Sequence, residues 1–480
     1  MNGLNRLVLL LLVSFCSFRA ASAGENAKPN VVLILVDDMG YGDPACFNSN
    51  SKIATPHIDQ LSATGMRFTD AHAPGPLCHQ SRYGLMTGRY PFRTDVNVWR
   101  TKPVISEDEL TLPEVFLRAG YHTSMVGKWH LGFFEKGYDR PLRGGPMDRG
   151  FERFFGIRAS TDIPPYFYIR GRRAVQPPTE TIAANNTEGW SPIQGAFWRA
   201  GGIAPDLDLA NVLPKFTDEA CEVIRDRANE DRPFFLYLAL PAPHTPWLPS
   251  EEFLGKSDVS LYGDFAMMVD SMVGRVTATL DESGVSQNTM VIFTSDNGPC
   301  WYEEDDETYG HDSSGGLRGM KADAWEGGHR MPLVIRYPGV VVPGSVSEAM
   351  VSFCDFLATF DELLSTELLA KDLKAAPDSF SFLSELTGRE TDLPKRTKLA
   401  LKSGRGLMTF RRGSWKLIDG DGSGGFSDRG KKRSGTDSRG QLYNLSNDLG
   451  ETKNLIDDET DVAASMREEL EGIIEAGHSR

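Results

Sequence analysis

Short apolar runs rich in β-branched and aromatic residues alternate along the chain with stretches whose apolar residues recur every three or four positions. Val31 to Val36 (VVLILV) is the first such run, and Thr123 to Val126, Phe234 to Leu240 and Met290 to Thr294 are others; each predicts a strand. Leu112 to Ala119 reads as a helix that stops at Gly120. Between Phe265 and Leu280 the positions Phe265, Met268, Val269, Met272, Val273 and Val276 keep helical spacing, which predicts a long helix packed on the sheet and closed by Gly284. Strands that alternate with helices predict an α/β fold whose sheet is mixed, largely parallel and sandwiched by helices.

From about Gly404 the pattern changes. Leu407 to Arg411 and Trp415 to Ile418 flank Gly413 and predict a hairpin. Asp419 to Gly440 is rich in Gly, Ser, Lys, Arg and Asp and reads as a solvated loop with a basic cluster at Arg429, Lys431, Lys432 and Arg433; a last helix is expected near Asp458 to Ala476. These features predict a larger domain over residues 24–385 and a smaller C-terminal α+β domain over 386–480, with no internal repeat.

The chain opens with Arg6, an apolar stretch from Leu7 to Phe18, and Ala21-Ser22-Ala23 before a polar run. A cationic start, a short apolar core and a small-x-small site predict a cleavable signal peptide over residues 1–23, and with it a secreted or periplasmic location. No other stretch approaches a membrane span. Across 480 residues, 51 Lys and Arg stand against 66 Asp and Glu, a net charge of −15. That surplus repels phosphate backbones and excludes nucleic acid as a natural partner. Of six cysteines, Cys16 leaves with the leader; Cys46, Cys78, Cys221, Cys300 and Cys354 are an odd set without C-x-x-C spacing. Their pattern argues against a zinc site and leaves room for one or two disulfides with at least one free thiol.

In a parallel α/β sheet, ligands bind at the carboxyl ends of the strands. Here the first strand runs into Asp37-Asp38-Met39-Gly40-Tyr41-Gly42-Asp43, and the strand at Met290 runs into Ser295-Asp296-Asn297-Gly298. Acids and an amide form a hard, oxygen-rich set suited to Ca²⁺ or Mg²⁺. Other strand ends supply cations and imidazoles, in Gly127-Lys128-Trp129-His130 and Pro243-His244-Thr245-Pro246, and Lys321 sits in a further cationic, glycine-rich segment. Lysines and histidines facing a divalent cation call for an anion of phosphate or sulfate type between them. Cys78 opens a predicted helix with Arg82 four residues on, where a helix N-terminus stabilises negative charge.

Taken in order, DDMGYGD at 37–43, CHQSRYGLMTGR at 78–89, GKWHLG at 127–132, APHTP at 242–246, SDNG at 295–298, LRGMKADAWEGGHR at 317–330 and LYNLSNDLGETKNL at 442–455 resemble the formylglycine-dependent sulfatases, which share the alkaline phosphatase fold. The segment GHDSSGGLRGMKADAWEGGHR at 310–330 is most similar to the arylsulfatase A and N-acetylgalactosamine-6-sulfatase branch. The resemblance implies a maturation enzyme that oxidises Cys78 to formylglycine, whose hydrate attacks sulfur. It implies a cation, Ca²⁺ or alternatively Mg²⁺, held by Asp37, Asp38, Asp296, Asn297 and the modified Cys78. By the same resemblance Arg82 and His130 orient and deprotonate the hydrate, Lys128 and Lys321 neutralise sulfate oxygens, and His244 with Lys321 assists the departing alcohol.

The family pattern is Cys-x-Pro-x-Arg, or Ala in place of Pro, and Gln80 occupies that position here. The expected activity is hydrolysis of a sulfate ester, of a sulfated carbohydrate in the first instance. Two readings stay beside it: a phosphate or phosphonate ester hydrolase of the same superfamily, and a non-catalytic binder of sulfated glycans, which Gln80 keeps open. Substrate choice is expected from Phe133 to Arg149 and Pro164 to Pro205, where Tyr166, Phe167, Tyr168, Trp190 and Trp198 are candidates to stack on sugar faces. Asn185-Asn186-Thr187 and Asn444-Leu445-Ser446 match glycosylation acceptors.

Overall fold

The computed structural model describes residues 28–372, 374–429 and 439–480. The leader and Lys431, Lys432 and Arg433 lie outside the described residues.

A ten-stranded sheet forms the centre. Its strands in chain order are β1 (Asn30–Asp37), β2 (Met66–Phe68), β3 (His122–Lys128), β4 (Arg153–Ile157), β5 (Ile169–Arg170), β6 (Arg173–Ala174), β7 (Phe234–Pro243), β8 (Thr289–Ser295), β9 (Leu333–Arg336) and β10 (Ser345–Ser347). They lie in the order β10-β2-β9-β8-β1-β7-β3-β4-β5-β6. The central run β8-β1-β7-β3-β4 is parallel throughout, and antiparallel pairings appear only toward the edges. Successive side chains on a strand point to opposite faces, so the complete burial of Val31 through Val36 means that both faces of β1 are covered. That is why these strands read as unbroken apolar runs.

The helices Val212–Arg227 and Ser260–Glu282 pack on each other and on β7. The second begins five residues earlier than the apolar repeat from Phe265 indicates, because its first turn carries the polar Ser260 and the glycine Gly263. Helix Leu112–Arg118 packs on helix Asp355–Leu363, and Phe116 stacks on Phe235 of β7 with ring centroids 4.0 Å apart. Thr111 N–H donates to Glu114 Oε2 at 3.0 Å, which ties off the N-terminus of the 112–118 helix.

A second sheet of four antiparallel strands follows: β11 (Lys398–Lys402), β12 (Met408–Arg412), β13 (Trp415–Ile418) and β14 (Gln441–Asn444). Gly413 turns the β12–β13 hairpin at φ +57°. Helix Thr460–Ala476 closes this sheet through Ala463, Met466 and Leu470, over Leu399, Phe410 and Leu417.

The segment from Pro164 to Pro205 is not a plain loop. It supplies β5 and β6 and a separate two-stranded sheet, Glu180–Ile182 with Gly201–Ile203. Tyr166, Phe167 and Tyr168 are consequently core residues rather than sugar platforms, and Trp190 and Trp198 are half-buried. All five cysteines of the described residues are free thiols. Among those residues no helix is long and apolar enough to cross a membrane.

Candidate active site

The register of the parallel strands brings their carboxyl ends to one edge: Val36 pairs with Ser295, Asp37 with Pro243, and Ala239 with Gly127. Each strand then delivers its polar residues into the same space. Asp38 and His130 leave their strands with φ of +65° and +60°, an uncommon conformation for residues with a side chain. The glycines of these motifs are set by close approach. A Cβ on Gly40 would stand 1.9 Å from Ser313 O, and one on Gly298 would stand 1.9 Å from Gly327 O. Asp43 locks the 37–43 turn by accepting from Gly40 N–H at 2.6 Å, Ser313 Oγ at 2.7 Å and Tyr262 OH at 2.5 Å, with His311 Nε2 at 2.9 Å.

Helix Cys78–Thr87 places Cys78 at its first position and Arg82 one turn in, both buried. Cys78 Sγ lies 3.4 Å from Asp37 Oδ1. Arg82 bridges two strand ends, donating through Nε at 3.0 Å and Nη2 at 2.7 Å to Asp296 Oδ2, through Nη2 at 3.2 Å to Asp37 Oδ2, and through Nη1 at 2.9 Å to Lys128 O. Lys128 Nζ donates to Asp37 Oδ2. Lys321 Nζ reaches both oxygens of Asp38, at 2.5 and 2.7 Å, and Asn297 Nδ2 donates to Asp38 Oδ1 at 2.6 Å. His244 Nδ1 meets Thr245 O at 2.6 Å, so its proton sits there and Nε2 turns toward Asp38 Oδ2, 3.7 Å away. His130 is packed edge-on against Trp99, with centroids 4.2 Å apart. All ten site residues proposed from sequence thus converge on one buried cluster.

Burial and neighbouring charge act in opposite senses here. Burial alone would raise Asp37, but the fixed charges of Lys128, Arg82 and Lys321 hold it well below the usual carboxylate range. Burial pushes Asp296 up to about 6, with the charge on Asp37 adding to the effect. His244 is lowered to about 4 by burial and by Lys321, and His130 is lowered well below its ordinary value by burial and Lys128, so both imidazoles are neutral. Burial, reinforced by Asp37, raises the Cys78 thiol well above its ordinary range. It is therefore not an activated thiolate.

Asp296 Oδ1 and Asn297 Oδ1 are buried acceptors with no donor among the described residues. One ligand atom from each of Asp37, Asp38, Cys78 and His244 lies within 4.8 Å of the others. Orphaned hard oxygens beside a cluster of this size fit a divalent cation.

The wall of the site holds residues that the motifs did not signal. His79 Nε2 and Asp162 Oδ1 are buried without a hydrogen-bond partner among the described residues, and the charge of Asp162 is felt by His244. Asp162 Oδ2 is paired with Arg199, and Arg158 lies over Trp99 at 5.9 Å while bonding Glu135 at 2.8 Å. His79 lies next to Cys78 in sequence and was open to notice; Asp162, Arg158 and Arg199 carry no motif. A cavity of about 1160 Å³ opens beside Met320, lined by Trp301, Tyr302, Arg318, Trp325 and Arg429 together with the acids Glu303 to Asp306.

A parallel sheet whose carboxyl edge gathers three acids, an amide, three fixed cations and two neutral imidazoles is the apparatus of an ester hydrolase for oxyanion substrates. The family model described as Sulfatase matches residues 29–366. The chain belongs to the sulfatase family and is a sulfuric ester hydrolase. It is 31% identical to the N-acetylgalactosamine-6-O-sulfatase of Bacteroides thetaiotaomicron, over 98% of this chain and 99% of that one. It is 32% identical to human arylsulfatase A, over 91% and 85% of the two chains. A solved sulfatase structure from the metabolism of multiple glycosaminoglycans by Bacteroides thetaiotaomicron superposes with a TM-score of 0.81 at 29% identity, covering 94% of this chain and 100% of that one. The fold is that of the alkaline phosphatase-like sulfatases.

Proposed function

We propose that this protein is an exported carbohydrate sulfatase that acts through a formylglycine made from Cys78 and a divalent cation, Ca²⁺ or alternatively Mg²⁺. The observation that carries the reading is the pair of orphaned acceptors, Asp296 Oδ1 and Asn297 Oδ1, in the cluster that holds Cys78 Sγ 3.4 Å from Asp37. Asp37, Asp38, Asp296, Asn297 and the modified Cys78 would hold the cation. When present, the cation supplies Lewis acidity toward a sulfate oxygen, and the formylglycine hydrate supplies an oxygen nucleophile.

The chain's own side chains then divide the work. Arg82, fixed on Asp296 and Asp37, orients the first turn of the nucleophile's helix. His130, neutral and without hydrogen-bond partners on either ring nitrogen among the described residues, is free to take a proton. Lys128 and Lys321 stabilise the charge that develops on the transferring group. Lys321 Nζ is the proton-bearing group at the leaving oxygen, and His244, with its Nδ1–H held by Thr245 O, assists there once Nε2 has taken up a proton.

Charge counting supports sulfate over phosphate. Asp37, Asp38 and Asp296 balance Arg82, Lys128 and Lys321, so a bound dication leaves a surplus of two positive charges. A deprotonated nucleophile and a singly charged sulfate ester cancel that surplus, whereas a doubly charged phosphate monoester exceeds it.

The substrate proposed is a 6-O-sulfated hexosamine, on the strength of the full-length relative named for N-acetylgalactosamine-6-O-sulfate. Asp162 Oδ1 and His79 Nε2 are suited to accept and bind its hydroxyls. The test is release of sulfate from N-acetylgalactosamine-6-sulfate against its 4-sulfate isomer and against an aryl phosphate. Turnover of the phosphate above the sulfates would overturn the reading.

A second reading, a sulfated-glycan binder without turnover, is favoured by Gln80. Its Oε1 is buried without a partner among the described residues and lies where a Cβ on Gly75 would come within 2.6 Å. The maturation enzyme reads an extended peptide, in which proline restricts the backbone and lacks the N–H that glutamine presents. Slow maturation at this position is what would leave a binder.

A further inference from the structure

A second buried cluster lies outside the cation cluster, and hydrogen-bond logic fixes its protons. His72 Nε2 is 2.8 Å from Asp70 Oδ1 and 3.0 Å from Arg411 Nη1; Arg411 is committed to Asp70 Oδ1 at 2.6 Å and the ionised Asp70 only accepts, so in the neutral ring Nε2 carries the proton and Nδ1 is a lone pair. His72 Nδ1 meets His329 Nδ1 at 3.0 Å, which requires His329 to carry its proton on Nδ1. His329 Nε2 is then the acceptor that Lys416 Nζ faces at 3.3 Å. One directed chain results, from Lys416 through two imidazoles to Asp70.

The surrounding charges belong to the same assembly. Lys416 also binds Glu326 Oε1 at 3.0 Å and Glu451 Oε1 at 2.9 Å, Arg330 Nε lies 2.9 Å from Glu326 Oε2, and Arg411 Nη1 reaches Asp70 Oδ1 at 2.6 Å. Three cations facing His72, Glu326 and His329 make this a poor seat for a metal ion. It is a proton-ordered tie.

The tie connects three segments. Lys416 and Arg411 come from β13 and β12 of the C-terminal sheet. His72 leads directly into the approach to Cys78, where Ala73 N–H donates to His329 O at 2.8 Å. His329 ends the segment that begins at Lys321, whose neighbour Ala322 donates to Pro76 O at 2.7 Å and accepts from Gly404 N–H at 2.8 Å. A Cβ on Gly425 would stand 2.3 Å from the Ala322 carbonyl carbon, so the C-terminal part touches this backbone directly.

We propose that His72 and His329 are positioning residues: a tautomer-locked neutral pair through which the C-terminal sheet seats the approach to Cys78 against the Lys321 segment. The kinetic test of this role rests on the sulfatase reading, while the proton placement does not.

The experiment is long-range ¹H–¹⁵N correlation NMR on the full chain labelled at histidine, with His72→Gln and His329→Gln to assign the two rings. The expected result at pH 7 is the Nε2–H tautomer for His72 and the Nδ1–H tautomer for His329, both neutral. A cationic ring, or the opposite tautomer at either position, would overturn the proposal. In kinetics on a sulfate ester, His329→Phe is expected to lower kcat by about ten- to a hundredfold with KM within about twofold, and His329→Asn, which keeps a donor toward His72, to recover most of that loss. An unchanged kcat in His329→Phe would overturn the positioning role. A wild type without sulfatase activity would fail the functional reading and leave the NMR result to decide the tie.

Discussion

Asn297 donates its amide to two acceptors at once, Asp38 Oδ1 at 2.6 Å and Gly298 O at 2.9 Å, so the orientation of the side chain is fixed. Its Oδ1 must then face away from both, and it is buried without a donor among the described residues. In the proposed cation site, Asn297 would be a ligand held in place by Asp38, itself a proposed ligand. Asn297→Ala is expected to weaken Ca²⁺ binding by roughly ten- to a hundredfold in isothermal titration, by removing both a ligand and the group that orients another. Unchanged affinity would remove Asn297 from the site.

Arg82 is a structural keystone of the same cluster. It is buried, and its guanidinium is the shared partner of Asp296 and Asp37. Arg82→Ala leaves two buried carboxylates short of a counter-charge, a change that costs about 3–5 kcal/mol. Urea unfolding of the variant should show that loss at neutral pH, and Ca²⁺ should restore part of it by supplying replacement charge.

Acid should destabilise the protein through the imidazole pair. Burial lowers both His72 and His329 below their ordinary value of 6.5, so the unfolded chain takes up their protons first. Stability is therefore full above pH 6.5 and declines as pH falls below it, by up to about 1.4 kcal/mol per pH unit for each ring. Asp70, held low against its burial by the hydrogen bond from His72 and by the charges of Arg330 and Arg411, adds a further loss at lower pH. Denaturant midpoints measured from pH 7.5 to 5 should fall, and His329→Phe should flatten that dependence.

Lys321 touches Asp38 through both carboxylate oxygens, and the role proposed for it is to stabilise charge on the transferring group. Lys321→Ala is expected to reduce kcat by roughly a hundred- to a thousandfold. Steady-state kinetics with an aryl sulfate would show it, and a change confined to KM would argue against that placement.

The sequence was most informative where one segment carries both fold and chemistry. β1 is an unbroken apolar run because both its faces are covered, and it ends in Asp37 and Asp38 because its carboxyl end opens on the site. Cys78 and Arg82 were legible as one helical turn. Residues that matter through partners far along the chain were not. His72 and His329 are 257 positions apart, and no local pattern predicts that their rings meet. Asp162, Arg158 and Arg199 emerge from the irregular 158–199 stretch, where spacing carries no signal. The aromatics of that stretch misled for the same reason: Tyr166, Phe167 and Tyr168 fill core space created by β5 and by the 212–227 helix, which only the folded topology reveals.

The central claim is that Cys78 becomes the nucleophile-bearing formylglycine despite Gln80. Peptide mass spectrometry of the tryptic fragment Phe68 to Arg82, from protein made in its native host, tests it directly. Maturation exchanges the sulfur and two hydrogens of Cys78 for one oxygen, and the account predicts a fragment lighter by that difference and reactive toward an aldehyde-specific hydrazide. A fragment that retains an intact, alkylatable thiol at Cys78 would contradict it.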